Sequence, residues 1–295
     1  MAIKRFAAIA DTTITNAFSA NSGLQTRATG SNMGLADSLE VYSVYGRASS
    51  SFGSGQSAEL SRILIKFPVT TTDDSANSIQ AKRTSGEIPA SGSVSFYLKM
   101  YNVAHANTLP VGAKMNVFAV SRSWEEGRGV DLDTYTDKTY DNVGSNWINA
   151  SSSYKWLRPG GDYHTGSAAG DLNSIIMYSQ TFPSGSEDLD VDITHLVERW
   201  IRASGATNED EGYTNYGVGV FLTASYESYF SSSTGGDLPE VPPDTIHSTD
   251  TPSISGGIHH NPDGATESYY TKKFSARGSE YFYKRPIIEA RWDDS

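Results

Sequence analysis

Apolar and polar residues alternate with period two through much of this chain. Between Ser93 and Val103 the residues Val94, Phe96, Leu98 and Met100 fall on one face, as they do in a half-buried strand. The same reasoning predicts strands over Phe6–Ile14, Leu39–Tyr45, Arg62–Val69, Met115–Val120, Ile175–Phe182, Tyr216–Leu222, Lys272–Arg277 and Arg285–Trp292. The period changes once, between Asp188 and Thr223. Leu189, Val191 and Ile193 alternate with Asp188, Asp190 and Asp192. Ile193, Leu196, Val197, Trp200 and Ile201 then follow the spacing of one helical stripe. Asp192 or Thr194 can cap that helix and Gly205 stops it. A strand, a short helix, a polar loop and a strand predict a helix closing one end of a β-sandwich.

The resulting expectation is an all-β, antiparallel, jelly-roll-like sandwich forming a single domain over residues 1–295. It has one short helix and long insertions at about 70–92, 127–180 and 231–268. The chain has no cysteine, so burial rather than disulfides must stabilise it. No apolar run is long enough to span a bilayer. The apolar residues before Asp11 are too few for a secretory signal. The formal charge is −11, with no clustered Lys/Arg run, which argues against nucleic acid as a partner.

The order of these elements resembles the DNRLRE-type β-sandwich domain. The matching pieces include Ala10–Ile14, Leu39–Val41, Arg62–Phe67, Val94–Tyr101, Val117–Glu125, Asp190–Trp200, Asn215–Phe221, Phe274–Glu280 and Arg285–Ile288. The resemblance implies a non-catalytic fold, some members of which bind polysaccharide. A freestanding, cysteine-free protein rich in Ser, Gly and Tyr is also similar in style to bacteriophage virion structural proteins.

Candidate chemistry changes that picture little. Asp188, Asp190 and Asp192 share a strand face and could offer oxygens to Ca²⁺, but Ile193 stands where an EF-type loop has glycine. Asp131, Asp133 and Asp137 form a second acidic group that also lacks it. His259–His260 supplies only two of the three or four ligands a transition metal takes. Glu125–Glu126 would be half of a glycosidase pair with no second carboxylate identified. No Gly-x-Ser-x-Gly elbow or phosphate loop occurs. The sequence therefore predicts no enzyme, no metal and no cofactor.

The expected role is that of a virion protein assembled in the host cytoplasm, part of the capsid exterior, neck or tail. Its partners would be other virion proteins and copies of itself, with neither nucleic acid nor membrane. The candidate interface is the Pro-rich segment at 231–268, where Leu238, Val241, Ile246, Ile254 and Ile258 are spaced through polar sequence. Trp147 and Trp156 are alternative surface anchors. Trp124, Trp200 and Trp292 are expected in the core. The competing reading is a carbohydrate-binding module, which would present two or three coplanar aromatics to a glycan.

Overall fold

The computed structural model describes residues 1–17, 28, 30–45, 58–105, 108–129, 132–133, 136–137, 144–164, 177–203, 214–228 and 261–294. Among them the strands are β1 (Ala2–Ala7), β2 (Ala10–Thr15), β3 (Ser38–Tyr45), β4 (Ala58–Lys66), β5 (Val94–Met100), β6 (Ala113–Ala119), β7 (Leu132–Asp133), β8 (Thr136–Asp137), β9 (Met177–Phe182), β10 (Leu189–Asp192), β11 (Val218–Leu222), β12 (Tyr269–Ser275) and β13 (Ile287–Trp292). The helices are α1 (Ile79–Thr84) and α2 (Thr194–Ala203), with a 3₁₀ turn at Phe282–Lys284.

The molecule is an antiparallel β-sandwich. One sheet has the order β1-β13-β5-β10. The other runs β12-β3-β4-β11-β6-β9, with β2 also paired to β4. The pleat sends alternate side chains into the space between the sheets. From β5 these are Val94, Phe96, Leu98 and Met100, and from β6 Ala113, Met115, Val117 and Ala119. Helix α2 adds Leu196, Val197 and Trp200, all fully buried in the same core. The Asp192 carboxylate accepts the Thr194 backbone N–H at 2.9 Å. Thr194 Oγ1 in turn accepts the Phe96 N–H at 2.8 Å and fastens the helix start to β5.

Three expectations need correction. The single strand expected over Phe6–Ile14 is two strands in different sheets: β1 pairs with β13 and β2 with β4. The alternation gives no sign of the bend at Ile9, where the chain crosses from one sheet to the other. The tract at 70–92 is more than a polar insertion. It holds α1, so the described residues contain two helices where one was expected, and its Ile79 and Ile88 are buried in the main core.

The third correction concerns 127–180. Its described part at 144–164 lies on the outer face of β4. There Trp147 and Trp156 join Ile14, Leu60, Leu64, Val120 and Ala150 in a second buried cluster. Trp147 is 0% exposed and Trp156 2%, so neither is a surface anchor. The cause is β4 itself, where Ile63 and Ile65 enter the main core while Leu60 and Leu64 face the other way. A strand apolar on both faces must be covered on both. Trp200 is core as expected, whereas Trp292 and Trp124 are half-buried against the first and second clusters respectively.

Candidate functional site

The outer face of β4 carries a polar feature between its two leucines. Arg62 alternates with Leu60 and Leu64 and so points beneath the 144–164 segment. It is 5% exposed. A buried guanidinium requires a matched acceptor. Glu227 supplies it, with Arg62 Nε–H donating to Oε1 at 2.8 Å and Nη2–H to Oε2 at 2.7 Å. Arg62 Nη1–H donates to the Gly160 carbonyl at 3.0 Å. The carbon of the guanidinium lies 4.7 Å from the Phe221 ring centre and 5.5 Å from that of Trp147. Burial, the largest single influence, pulls the Arg62 pKa down, but the charges of Glu227 and Tyr163 and the hydrogen bonds to them together outweigh it and hold Arg62 above the ordinary arginine range.

Tyr163 closes the arrangement. Its hydroxyl donates to Gly160 O at 2.8 Å, and its ring lies 4.7 Å from that of Phe221. Gly219 of β11 makes this approach feasible. A β-carbon there would sit 2.2 Å from the Tyr163 ring, which no side chain tolerates. Burial pushes the Tyr163 hydroxyl above the usual tyrosine range.

A cleft of about 370 Å³ opens over these residues, walled by Arg62, Phe118, Arg158, Asp162, Tyr163 and Phe221 among others. Asp162 accepts the N–H groups of Leu157 and Arg158 at 2.9 and 3.0 Å, and Arg122 approaches it at 3.2 Å. Burial raises the Asp162 pKa against those donors. Asp162 and Glu227 are thus both occupied by internal partners. The cleft offers the aromatic faces of Phe118, Tyr163 and Phe221 beside two arginines and these two engaged carboxylates.

A second polar group lies at the start of β2. Glu126 accepts the Asp11 N–H at 2.9 Å and both Nε–H and Nη2–H of Arg277, at 3.0 and 2.7 Å. The Arg277 backbone N–H donates to Asp11 Oδ2 at 2.5 Å. Burial drives Asp11 up to about 7, partly offset by that N–H and reinforced by the Glu126 charge. Glu125 points elsewhere and accepts Ser152 N–H at 3.1 Å. The adjacent glutamates therefore serve two separate structural contacts.

The acidic strand face is likewise divided. Asp188 Oδ1 accepts the Asn102 N–H, Asp190 pairs with Lys99 and Arg291, and Asp192 caps α2. Among the described residues no three acidic or histidine side chains converge as a metal site would require. Of the second acidic group, Asp133 and Asp137 sit in the β7–β8 ladder and Asp131 lies outside the described residues. His259 and His260 also lie outside, as do Leu238, Val241, Ile246, Ile254 and Ile258 of the candidate interface.

Among the described residues, one run of exposed aromatics was not foreseen. Tyr281, Phe282 and Tyr283 project from the β12–β13 connection and are 62%, 65% and 83% exposed. Phe282 and Tyr283 stand 5.6 Å apart with their planes at 82°. Lys284 Nζ lies 5.6 Å from the Tyr281 ring centre, and the Arg285 guanidinium 5.3 Å from that of Phe282. The signal was available in the sequence. Three successive aromatics between Glu280 and Lys284 cannot all face one core. No protein-family model matches the chain, and no curated protein is significantly similar to it.

Proposed function

We propose that this β-sandwich is a non-enzymatic structural module that acts through protein–protein contacts made by its Tyr281–Tyr283 tip. The observation that carries the reading is the perpendicular setting of the exposed Phe282 and Tyr283 rings. A sugar ring stacks on coplanar aromatic faces, whereas a corner of crossed rings flanked by cations fits a pocket lined by apolar and acidic side chains. The occupied carboxylates of the cleft favour the same non-catalytic reading. The DNRLRE-type resemblance supports only the non-catalytic fold, and the likeness in style to phage proteins supplies the setting, a bacteriophage virion with other virion proteins or further copies as partners.

The test is to purify particles from a culture producing the chain and look for it by peptide mass spectrometry. It should be a stoichiometric component. A variant with Tyr281→Ser, Phe282→Ser and Tyr283→Ser should melt like the parent and be missing from particles. Absence of the parent chain from particles, together with retention on a glycan matrix, would favour the carbohydrate-binding alternative.

A further inference from the structure

The inward face of β12 carries a residue that the core has no ordinary use for. Lys272 and Phe274 both point between the sheets, and Lys272 is 0% exposed. Among the described residues its ammonium group hydrogen-bonds to no carboxylate oxygen, although the Glu187 and Asp188 charges act on it. Nζ donates to Asn102 Oδ1 at 2.5 Å, to Gly185 O at 2.9 Å and to Glu187 O at 2.6 Å. The rings of Phe182 and Phe274 flank it, each centred 5.1 Å from Nζ. Burial lowers its pKa to about 8, against the opposing charges of Glu187 and Asp188. About a tenth of such an amine is neutral at pH 7, and a neutral lysine amine is a nucleophile.

The acceptor is equally specific. Asn102 lies just beyond β5 and forms an isolated bridge with Phe274, so the side-chain amide is held against the lysine by backbone pairing. Its own N–H is bound by Asp188 Oδ1 at 2.7 Å. Glu187 uses Oε1 to accept Ser184 N–H and Oγ–H, at 2.7 and 2.8 Å. Its Oε2 is buried and has no hydrogen-bond partner. A buried carboxylate oxygen left bare is costly unless it has a task.

We propose that Lys272 and Asn102 join in an intramolecular isopeptide bond, with Glu187 as the proton shuttle. The attacking species is the neutral fraction of Lys272, because, against burial, the Ser184 donors and the Lys272 charge hold the Glu187 carboxyl below the usual glutamate range and leave it a weak base toward the ammonium. The Nζ lone pair attacks Asn102 Cγ, whose oxygen becomes the oxyanion of a tetrahedral intermediate. The carbonyl re-forms as the bond to the asparagine side-chain nitrogen breaks. Glu187 accepts the proton that the new bond makes acidic on Nζ and delivers it to that nitrogen, which leaves as ammonia. A primary amide and an amine become a secondary amide and ammonia, with no oxidation and no co-reactant. The aromatic rings exclude water, which favours aminolysis over hydrolysis of the amide. The link would fasten β12, the edge of one sheet, to the segment leaving β5 in the other. It would close a loop between residues 170 apart in sequence, and so restrict the unfolded chain much as a disulfide does in a protein with no cysteine.

The experiment is intact-mass spectrometry of the purified full chain, followed by peptide mapping. The parent should be lighter than its sequence by one ammonia and should yield a branched peptide containing residues 102 and 272. Lys272→Arg and Asn102→Ser should each show their full sequence mass. Glu187→Gln should fold, as judged by circular dichroism, yet remain unlinked. A parent of full mass with no branched peptide after prolonged incubation at pH 8 overturns the proposal. A Glu187→Gln chain that links as fast as the parent overturns the role of Glu187.

Discussion

The two faces of β4 are both buried, but by different means. Inward, Ile63 and Ile65 meet strands of the opposite sheet, and most contributors sit on a regular element or at its end, with Val69 and Ile88 in the loops around α1 as exceptions. Outward, Leu60 and Leu64 meet Trp147 and Trp156, which belong to a segment nearly devoid of regular structure. That segment is held by its own turns. Gly160 N–H donates to Trp147 O at 2.8 Å, and Trp156 Nε1–H to Asn146 O at 2.8 Å. A sheet can thus be covered by a second sheet through periodic patterning, or by a loop through a few large aromatics locked by backbone hydrogen bonds. The first way is written across many residues. The second depends on a few.

The comparison is sharpest at the two fully buried tryptophans. Trp200→Ala should lower global stability by about 3–5 kcal/mol, the usual loss for a large core aromatic. Trp147→Ala should lose a similar contact energy but release mainly the covering segment. Hydrogen exchange checks the distinction. Trp200→Ala should speed exchange through β5 and β6, whereas Trp147→Ala should speed it at 144–164 first. Equal, global acceleration in both variants would mean that the two cores unfold as one unit.

This difference also explains what the sequence disclosed. The alternation in Val94–Met100 and the stripe through Leu196, Val197 and Trp200 were legible because each buried residue has a periodic neighbour that says the same thing. Trp147 and Trp156 were misread as surface anchors because a loop has no period, and only the two-sided apolarity of β4 pointed to a cover. The candidate site was less legible still. Arg62 looked like the polar edge of a strand, and its partner Glu227 is 165 residues away. Lys272 read as an ordinary charged strand residue, since nothing local shows that its face is the inner one.

The next effect separates the cores through pH. Asp11, at the start of β2, titrates near 7 when folded against 3.8 for an ordinary aspartate. Between those values the folded protein holds a proton that the unfolded chain has released. Stability should therefore fall as pH rises from about 4 to about 7, by on the order of 4 kcal/mol if the full shift is realised. Asp11→Asn should flatten this dependence, as read from denaturant midpoints across the window. An unchanged slope in that variant would assign the dependence to another group.

A smaller loss is expected from Glu227→Gln, which leaves the Arg62 guanidinium buried without a counter-charge. The cost should be about 3 kcal/mol, the lower end for a broken buried pair, because Gly160 O still accepts from it. The double variant Arg62→Met with Glu227→Leu should recover most of that loss in chemical denaturation. If the double variant is no better than the single one, the pair contributes packing that apolar side chains cannot reproduce.

The smallest effect tests whether α1 belongs to the main core or merely rests on it. The helix has six residues, too short to be stable alone. Besides backbone bonds to Pro68 and Val69, three side-chain contacts matter for the comparison. Ile79 is fully buried, Arg83 donates to both Glu198 oxygens on α2 at 2.9 and 2.6 Å, and Ser78 Oγ accepts the Ala81 N–H at 3.2 Å. The first contact belongs to the cooperative core, while the cap acts only on the first turn. Ser78→Ala should therefore cost about 1 kcal/mol and Ser78→Gly only a few tenths, the usual difference for an N-cap. Both should leave the cooperativity of unfolding unchanged. A loss near that of Trp200→Ala would show that the cap positions Ile79, and that this helix is as much a part of the inner core as the strands.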